Sequence, residues 1–327
     1  MARVYLAFYG TGSIAERHID AIRRTGQLDV SWVVSRTITH AKQFAEKKSI
    51  PHYTTDEDLP LGDPDISGVV IAYPTARHAD LARRAFAAGK HVVCEKPFTN
   101  DPIDAADLVA KCPPDRQLLI TQIRRFWPIF QKTAQFIRSG QAGNLCRIAI
   151  SFLTEWNWEG RTWRLEDPGG YLLDMHVHDI DLLVWWGAVL PQRIIAIGEN
   201  RADREGTVLF DYGTWYASLD YCGRVSGRMY PKGALTRYQV VLEHGSVEIS
   251  VADTIDATFV VDGTVTERYQ NAIGDEIRRS WDALWQELAQ ALSGESPAPV
   301  PASEVVYNIR MTMAAVAAMN SRQAQPL

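Results

Sequence analysis

The chain has 327 residues, of which 46% are hydrophobic and 22% are charged, and its formal charge is −5 at pH 7. This length favours two domains, and the composition is that of a globular protein rather than a disordered or collagen-like one. The chain is acidic and has no basic run, so it lacks the usual signature of nucleic-acid binding. It also has no apolar stretch of the ~20 residues that a membrane helix needs.

Cysteine usage gives no sign of a fold held by disulfides or zinc. The four cysteines, Cys94, Cys112, Cys146 and Cys222, form no C-x-x-C pair. Neither a disulfide framework nor a thiolate zinc site is predicted. The first residues hold a short apolar stretch, which predicts a strand rather than a signal peptide. We therefore expect a cytoplasmic protein.

Short apolar runs alternate with helical patterns over the first third of the chain, which is the rhythm of βαβ units. Apolar spacing predicts one helix from Ile14 and another from Ala79, the second ending before Gly89. The predicted strands are residues 4–9, 30–34, 68–72, 91–94 and 117–122. Because these runs are mostly continuous, we expect a parallel sheet covered by helices on both faces.

The pattern changes after residue 130, and alternating runs follow one another between residues 193 and 269. These runs predict a second, mostly antiparallel sheet. The other elements predicted in this half are a helix (130–138), a strand (145–153) and two terminal helices (275–292 and 303–320). We place a domain boundary near Arg124.

A G-x-G-x-x-A turn follows the first predicted strand and opens the first predicted helix. Backbone N–H groups and the helix N-terminus can bind a pyrophosphate in this context, so the turn predicts a dinucleotide. Taken alone, the pattern could also be an ordinary glycine turn. Its residues are Gly10, Thr11, Gly12, Ser13, Ile14 and Ala15.

The residues after the second predicted strand indicate which dinucleotide is bound. A carboxylate usually stands here and binds the ribose hydroxyls of NAD, but the chain has Ser35, Arg36 and Thr37. Two hydroxyls and a guanidinium could bind a 2′-phosphate. NADP(H) is therefore favoured, and NAD(H) is possible if Arg36 only faces solvent.

Several motifs then occur in order along the chain. Residues 72–78 read A-Y-P-T-A-R-H and residues 87–97 read A-A-G-K-H-V-V-C-E-K-P. R-F follows at 125–126, W-R at 163–164 and G-G-Y-L-L-D-M-H-V-H-D-I-D at 169–181. Together these motifs resemble the glucose-fructose oxidoreductase and inositol dehydrogenase family, often called Gfo/Idh/MocA.

The resemblance implies an α/β protein whose substrate and nicotinamide meet between two domains. The expected domains are a Rossmann dinucleotide-binding domain over residues 1–124 and an α+β domain over 125–327. The second domain would carry an open-faced, mostly antiparallel sheet that binds substrate and forms a homo-oligomer, a dimer or tetramer. Its C-terminal helix could pack back on the first domain.

The resemblance also implies the catalytic residues. Lys96 would lie beside the nicotinamide and the substrate hydroxyl, with a cis peptide to Pro97, while His178 accepts the hydroxyl proton and Asp174 orients it. Elementary chemistry requires the same groups, because hydride removal from an alcohol needs a base and a positive charge near the developing alkoxide. Asp181 would share a helical face with this pair, and we expect it to be structural, bonding the backbone or a nearby Arg.

The predicted binding residues combine these motifs with the G-x-G-x-x-A turn and the loop after the second predicted strand. The predicted cofactor-binding set is Gly10, Thr11, Gly12, Ser13, Ile14, Ser35, Arg36, Thr37, Tyr73, Pro74, Thr75, His78, Glu95, Lys96, Pro97, Trp163 and Arg164. The predicted substrate-binding set is Lys96, Arg125, Trp156, Trp163, Asp174, His176 and His178. Aromatic faces suit sugar C–H surfaces, although each tryptophan could equally pack in a domain interface.

His176 departs from the family pattern, which commonly has Gly at this position. A His-x-His beside an acid resembles a metal-ligand pair, but no third ligand cluster is present, so no metal is predicted. His176 could instead narrow the substrate pocket or touch the nicotinamide.

The sequence thus predicts an NADP(H)-dependent oxidoreductase acting on a secondary alcohol or ketone of a sugar, polyol or cyclitol. Two alternatives stay open at this point. One is a reductase of a non-carbohydrate carbonyl or imine, and the other is a non-catalytic NADP-binding sensor of the same fold. No nucleic-acid or membrane partner is expected.

Overall fold

The structure is a computed structural model, and it describes residues 3–154, 170–199, 205–223 and 234–327. Contacts between residues divide the chain into two compact units. The first comprises Met1–Ile123 and Ser280–Val306, and the second comprises Arg124–Arg279 and Tyr307–Leu327. A segment near the C-terminus is thus grouped with the N-terminal unit. A division into domains at residues 124 and 125 stays a proposal.

The first unit is built on a six-stranded parallel sheet with the order β3-β2-β1-β4-β5-β6. Its strands are β1 (Val4–Tyr9), β2 (Leu28–Val34), β3 (His52–Thr54), β4 (Ile66–Ile71), β5 (His91–Cys94) and β6 (Leu118–Ile120). The order reverses between β1 and β4, and such sheets bind ligands outside the carboxyl ends of the strands at this point. The predicted parallel Rossmann sheet is confirmed.

Helices connect these strands: α1 (Ser13–Arg24), α2 (Ile38–Lys48), α3 (Leu59–Gly62), α4 (His78–Ala87) and α5 (Pro102–Lys111). In α1, Ala15, Ile19 and Ile22 are buried at helical spacing. Gly89 follows α4 with a φ of 68°, the left-handed conformation predicted for it.

The second unit contains a nine-stranded sheet with the order β14-β13-β12-β11-β7-β10-β9-β8-β15. Its strands are β7 (Leu145–Thr154), β8 (Arg193–Glu199), β9 (Glu205–Asp211), β10 (Tyr216–Cys222), β11 (Ala234–Leu242), β12 (Gly245–Val251), β13 (Thr254–Val261), β14 (Thr264–Ala272) and β15 (Gln325–Pro326). Of the pairings that the structure describes, β7 with β10 is parallel and the others are antiparallel. This arrangement confirms the mostly antiparallel second sheet.

Four helices complete the chain: α6 (Pro128–Arg138), α7 (Val177–Gly187), α8 (Ile273–Leu292) and α9 (Ala302–Ser321). Phe130 of α6, Leu183 of α7 and Met311 of α9 belong to the same apolar core as the second sheet. One π-helical turn, Leu172–His176, leads directly into α7, and such turns are frequent at functional sites. None of the helices described here combines the length and apolar character needed to cross a bilayer.

Candidate active site

Two glycines form the turn between β1 and α1. Gly10 has a φ of +126°, and a Cβ added there would lie 2.7 Å from the carbonyl oxygen of Ala72, so the position requires glycine. No atom lies within 4 Å of a Cβ added to Gly12. No side chain caps α1, whose first turn begins with Ser13 and Ile14. The exposed helix N-terminus therefore suits the pyrophosphate of a dinucleotide.

The loop after β2 is joined to this turn through a pair of hydroxyl groups. The Oγ1 atom of Thr11 lies 3.0 Å from the Oγ atom of Ser35, which is buried. Arg36 is exposed, and no carboxylate of the described residues pairs with it. Thr37 caps α2, because its hydroxyl accepts a hydrogen bond from the N–H of His40 at 3.3 Å. Arg36 is therefore the cation of this loop that a ligand can reach.

The loop after β4 leads through a 3-10 turn, Thr75–Arg77, into α4. His78, the first residue of α4, is only 1% exposed. Its Nε2 lies 2.7 Å from the carbonyl oxygen of Tyr73, and its Nδ1 lies 2.9 Å from that of Pro97. His78 thus links the loops after β4 and β5, and its predicted contact with the cofactor stays a prediction.

Lys96 follows β5 and is half-buried, and its peptide bond to Pro97 is cis, as the family resemblance implied. In Glu95, the residue before it, Oε1 lies 2.9 Å from Nε2 of His18 and accepts a 2.5 Å hydrogen bond from the hydroxyl of Thr121. Oε2 accepts a 3.2 Å hydrogen bond from the backbone N–H of Lys96. Both oxygens of Glu95 therefore bind protein donors, so a cofactor contact through this carboxylate stays a prediction.

Asp174 and His178 lie on the continuous helical segment formed by the π turn and α7. Between residues 170 and 184 the structure buries every residue except Asp174, Met175 and His178. Residues four apart face the same side of a helix. The segment therefore presents the predicted acid and base together on its accessible side, and both belong to the second unit, whereas Lys96 belongs to the first.

His176 lies in the interior of the second unit, with 0% exposure. Its ring packs against Phe152 and Tyr221, with centroids 5.2 Å and 4.5 Å away. Its Nδ1 lies 2.9 Å from Oδ2 of Asp179. Burial lowers the pKa of His176 below its ordinary value, so the ring is neutral near pH 7. A direct contact with substrate or nicotinamide would require this ring to become exposed.

Asp179 is the centre of a buried polar cluster. Arg124 and Tyr238 both donate hydrogen bonds to its Oδ1, and Arg124 also lies 2.8 Å from the hydroxyl of Tyr238. Burial alone would raise the pKa of Asp179, but Arg124 and His176 hold it below its ordinary value. The carboxylate is therefore ionised, and because it can only accept, Nδ1 of His176 carries a proton.

Arg125 and Asp181 form a second buried pair. Two nitrogens of the guanidinium each lie 2.7 Å from a carboxylate oxygen, and the two residues are 3% and 0% exposed. This bidentate pair confirms that Asp181 binds a nearby Arg. It also occupies Arg125, whose contact with substrate stays a prediction.

Three of the predicted binding residues lie outside the described residues, so the structure does not place them. They are Trp156, Trp163 and Arg164. Within the parts that the structure does describe, no group of three or more metal-binding side chains is present, including around His176 and His178.

Sequence reasoning missed Gln122, which follows β6 at the carboxyl edge of the first sheet. Its side chain is 1% exposed, and neither amide atom has a partner among the described residues. Buried amides of this kind usually bind something. The signal available in the sequence was the pair of polar residues Thr121 and Gln122 at the end of an apolar run, where the predicted strand extended to residue 122.

Comparison with known proteins places the chain in a family. A model of the oxidoreductase family with an NAD-binding Rossmann fold, GFO_IDH_MocA, matches residues 4–121, and a model of the GFO/IDH/MocA C-terminal domain matches residues 130–248. The chain belongs to the Gfo/Idh/MocA family, and it is an NAD(P)-dependent oxidoreductase.

Individual relatives cover most of the chain. The uncharacterized oxidoreductase YrbE of Bacillus subtilis (strain 168) is 29% identical over 305 residues, 86% of both proteins. The trans-1,2-dihydrobenzene-1,2-diol dehydrogenase of Mus musculus is 30% identical over 186 residues, 55% of this chain and 56% of that protein. A structure of levoglucosan dehydrogenase with NADH and levoglucosan has a TM-score of 0.81 at 16% identity, covering 99% of each chain.

Proposed function

We propose that the protein transfers a hydride between NADP(H) and a secondary alcohol or ketone of a sugar, polyol or cyclitol. The observation that carries this proposal is the pair Asp174 and His178, which lies on the accessible side of a helical segment that is otherwise almost fully buried. A base and its orienting carboxylate in this position suit proton exchange with a hydroxyl. Lys96 would supply the positive charge from the first unit.

Each of the chain's own groups has a defined task in this reaction. His178 takes the hydroxyl proton in oxidation and returns it in reduction, because imidazole exchanges protons near neutral pH. Asp174 orients His178, and the ammonium of Lys96 stabilises the negative charge that develops on the oxygen. The nicotinamide, when bound, accepts or supplies the hydride.

The names of two relatives support the class of substrate. A trans-1,2-dihydrobenzene-1,2-diol and levoglucosan both carry secondary hydroxyl groups on a ring. A ring bearing adjacent hydroxyls is therefore the substrate class that we favour.

The preference for NADP(H) rests on Arg36. Its guanidinium is exposed after β2 and has no carboxylate partner among the described residues. The residues on either side of it, Ser35 and Thr37, are uncharged, so neither side chain repels a 2′-phosphate as a carboxylate would. A free guanidinium binds phosphate by charge-assisted hydrogen bonds.

The reaction is tested by supplying sugars, inositols and ketosugars with NADP⁺ or NADPH and following nicotinamide absorbance. On the best substrate, Lys96→Ala and His178→Ala should each lower kcat by about 100-fold or more, as loss of proton transfer or charge stabilisation does. The exposed residues Lys42 and His244 provide controls, since Lys42→Ala and His244→Ala should leave kcat unchanged. No turnover on any substrate would favour the non-catalytic sensor.

The cofactor preference has its own test. Arg36→Ala should weaken NADPH binding by about tenfold or more while leaving NADH binding within about twofold, because charged hydrogen bonds contribute about 1.5–3 kcal/mol. Arg322→Ala, at an exposed position of the second unit, is the control. Tighter binding of NADH than of NADPH by the unaltered protein would overturn the proposed preference.

We also propose a homo-oligomer formed through the open face of the second sheet. Ile195 and Ile197 of β8 are 37% and 65% exposed, and Leu209, the cross-strand partner of Ile195, is 39% exposed. Ile197→Asp should shift the mass measured by light scattering toward the monomer. If the protein without this substitution is already a monomer, this part of the proposal is refuted.

A further inference from the structure

Behind Lys96, a chain of buried polar groups crosses the first unit. Trp285 of α8 donates from Nε1 to Nδ1 of His18 in α1 at 3.1 Å, and Nε2 of His18 lies 2.9 Å from Oε1 of Glu95. Trp285 and His18 are 0% exposed, and Glu95 is 9% exposed. The chain of hydrogen bonds ends at the backbone N–H of Lys96, which donates to Oε2 of Glu95 at 3.2 Å.

The direction of every hydrogen bond in this chain is fixed by its first member. An indole N–H can only donate, so Nδ1 of His18 must be an acceptor. A neutral imidazole then carries its proton on Nε2, which donates to Glu95. Thr121 donates to the same carboxylate oxygen at 2.5 Å. Glu95 therefore faces three donors and must offer only acceptors.

The charge of Glu95 agrees with this assignment. Burial alone would raise the pKa of Glu95, but the hydrogen bonds from His18 and Thr121 hold it below its ordinary value. An ionised carboxylate is an acceptor at both oxygens. A protonated carboxyl, or an amide in its place, would direct a hydrogen at one of the three donors.

We propose that Glu95 and His18 are positioning residues for Lys96, and that Trp285 sets the hydrogen-bond direction on which they depend. The inference rests on the proposed catalytic role of Lys96. His18 lies on α1, whose N-terminus adjoins the Gly10 and Gly12 turn. The same hydrogen-bonded chain therefore links α1, the helix that follows the dinucleotide turn, to the residue proposed to contact the reacting oxygen.

Replacing Glu95 by glutamine creates a specific conflict. If the amide NH₂ faces Lys96, two donors oppose each other there. If the NH₂ instead faces His18, it opposes the Nε2–H that Trp285 enforces. In both orientations one buried donor lacks an acceptor. In the first, Lys96 must move or lose its backbone hydrogen bond, and in the second, the displaced group is the side chain at position 95 or His18.

Removing the indole N–H relieves this conflict. In the double variant Glu95→Gln with Trp285→Phe, His18 can carry its proton on Nδ1 and accept from the glutamine at Nε2. The glutamine oxygen then accepts from Lys96, and the hydroxyl of Thr121 can accept the second amide hydrogen. The two changes should therefore compensate each other at Lys96, while the Nδ1–H of His18 faces the phenylalanine ring without an acceptor and lowers stability.

The test measures kcat at saturating NADPH and substrate, together with the free energy of unfolding. Glu95→Gln should lower kcat about 10- to 100-fold, as small displacements of a catalytic group do. Adding Trp285→Phe should bring kcat back to within about threefold of Trp285→Phe alone. Trp281 is the matched control, because its ring packs 4.7 Å from that of His18 without a described hydrogen bond to it. Trp281→Phe should not restore kcat.

A second measurement is independent of activity. The ¹⁵N chemical shifts of His18 should show a protonated Nε2 in the unaltered protein and a protonated Nδ1 in the double variant. A merely structural role would lower stability without changing the kcat of the folded enzyme, and that result would overturn the inference. Equal rescue by Trp281→Phe, or a protonated Nδ1 in the unaltered protein, would also overturn it.

The failure of the proposed function would look different. If Lys96→Met left kcat unchanged, Lys96 would not be catalytic, yet the ¹⁵N shifts of His18 would still report the hydrogen-bond direction. Conversely, a large effect of Lys96→Met with no effect of Glu95→Gln would leave the proposed function standing and remove the positioning role.

Discussion

Alanine substitutions at Gly10 and Gly12 should affect different properties, although the two glycines belong to one turn. At Gly10 the backbone has a φ of +126°, and an added Cβ would approach the carbonyl oxygen of Ala72 to 2.7 Å. At Gly12 the φ is −75° and the added Cβ meets nothing within 4 Å. We expect Gly10→Ala to impair folding and Gly12→Ala to impair mainly cofactor binding.

The magnitudes follow from these geometries. A residue with a side chain at the φ of Gly10 costs about 1–3 kcal/mol, and the overpacking against Ala72 costs about 1–3 kcal/mol. The sum is a large part of a stability that is typically about 5–15 kcal/mol. Gly12 is the N-cap of α1, where glycine is preferred over alanine, so Gly12→Ala should cost about 1 kcal/mol or less. Its methyl group would project into the space over α1 and lower NADPH affinity by about tenfold or more, that is about 1.4 kcal/mol.

The assays are urea unfolding of the protein without cofactor and fluorescence titration with NADPH. Gly26 provides a control in the same unit, because a Cβ added there also meets nothing within 4 Å. Because Gly26 has a φ of +69°, Gly26→Ala also places a side chain on a left-handed backbone. This variant therefore measures the loss of stability from the backbone conformation without the clash that occurs at Gly10. The reasoning is refuted if Gly10→Ala is as stable as Gly26→Ala, or if Gly12→Ala binds NADPH as tightly as the unaltered protein.

Two further predictions concern buried ionisable groups in the second unit. Burial lowers the pKa of His176 in the folded protein. Below the ordinary pKa of histidine, the unfolded chain therefore binds more protons than the folded protein. The free energy of unfolding should fall as the pH drops from about 7.5 to about 5.5, by at most about 1.4 kcal/mol per pH unit for this group. His176→Phe should reduce that slope in urea unfolding, and an unchanged slope would contradict the prediction. Arg125→Ala should cost about 3–5 kcal/mol by leaving Asp181 buried and unpaired, and adding Asp181→Ala should recover part of the loss. Thermal and urea unfolding would measure both, and an equal loss in the double variant would argue against the pair.

The sequence predicted the buried strands well and the edge strands poorly. The predicted bounds of β1 and β5 agree with the structure residue for residue. β3 was not predicted, because it has three residues at the edge of its sheet and two of them are exposed. β14, at the edge of the second sheet, is almost wholly exposed and so has no apolar alternation to mark its bounds. Apolar periodicity reports burial, and an edge strand has little.

For the site, the sequence showed the motif residues but not the distant residues that form hydrogen bonds with them. Glu95 was predicted to bind cofactor from its place in a motif, whereas its described partners His18 and Thr121 lie 77 and 26 residues away. His18 shares the helical spacing of the buried apolar residues Ala15, Ile19 and Ile22 in α1. A histidine within this apolar pattern was the available signal. Its significance appears only when the distant partner is known.

Lys96 and His178, the two residues proposed to be catalytic, have the same kind of chain neighbour. Lys96 directly follows Glu95, and His178 directly precedes Asp179, so each has a buried carboxylate beside it in the chain. Both carboxylates bind donors from distant elements, and burying such charges costs stability that a surface position would not require. Hydrogen bonds to such buried carboxylates hold the local backbone in one conformation. A catalytic side chain must be held within about 0.5 Å of its productive position, and a fixed backbone helps to achieve this. We therefore expect substitutions at these two carboxylates to lower kcat more than their effect on stability alone would explain.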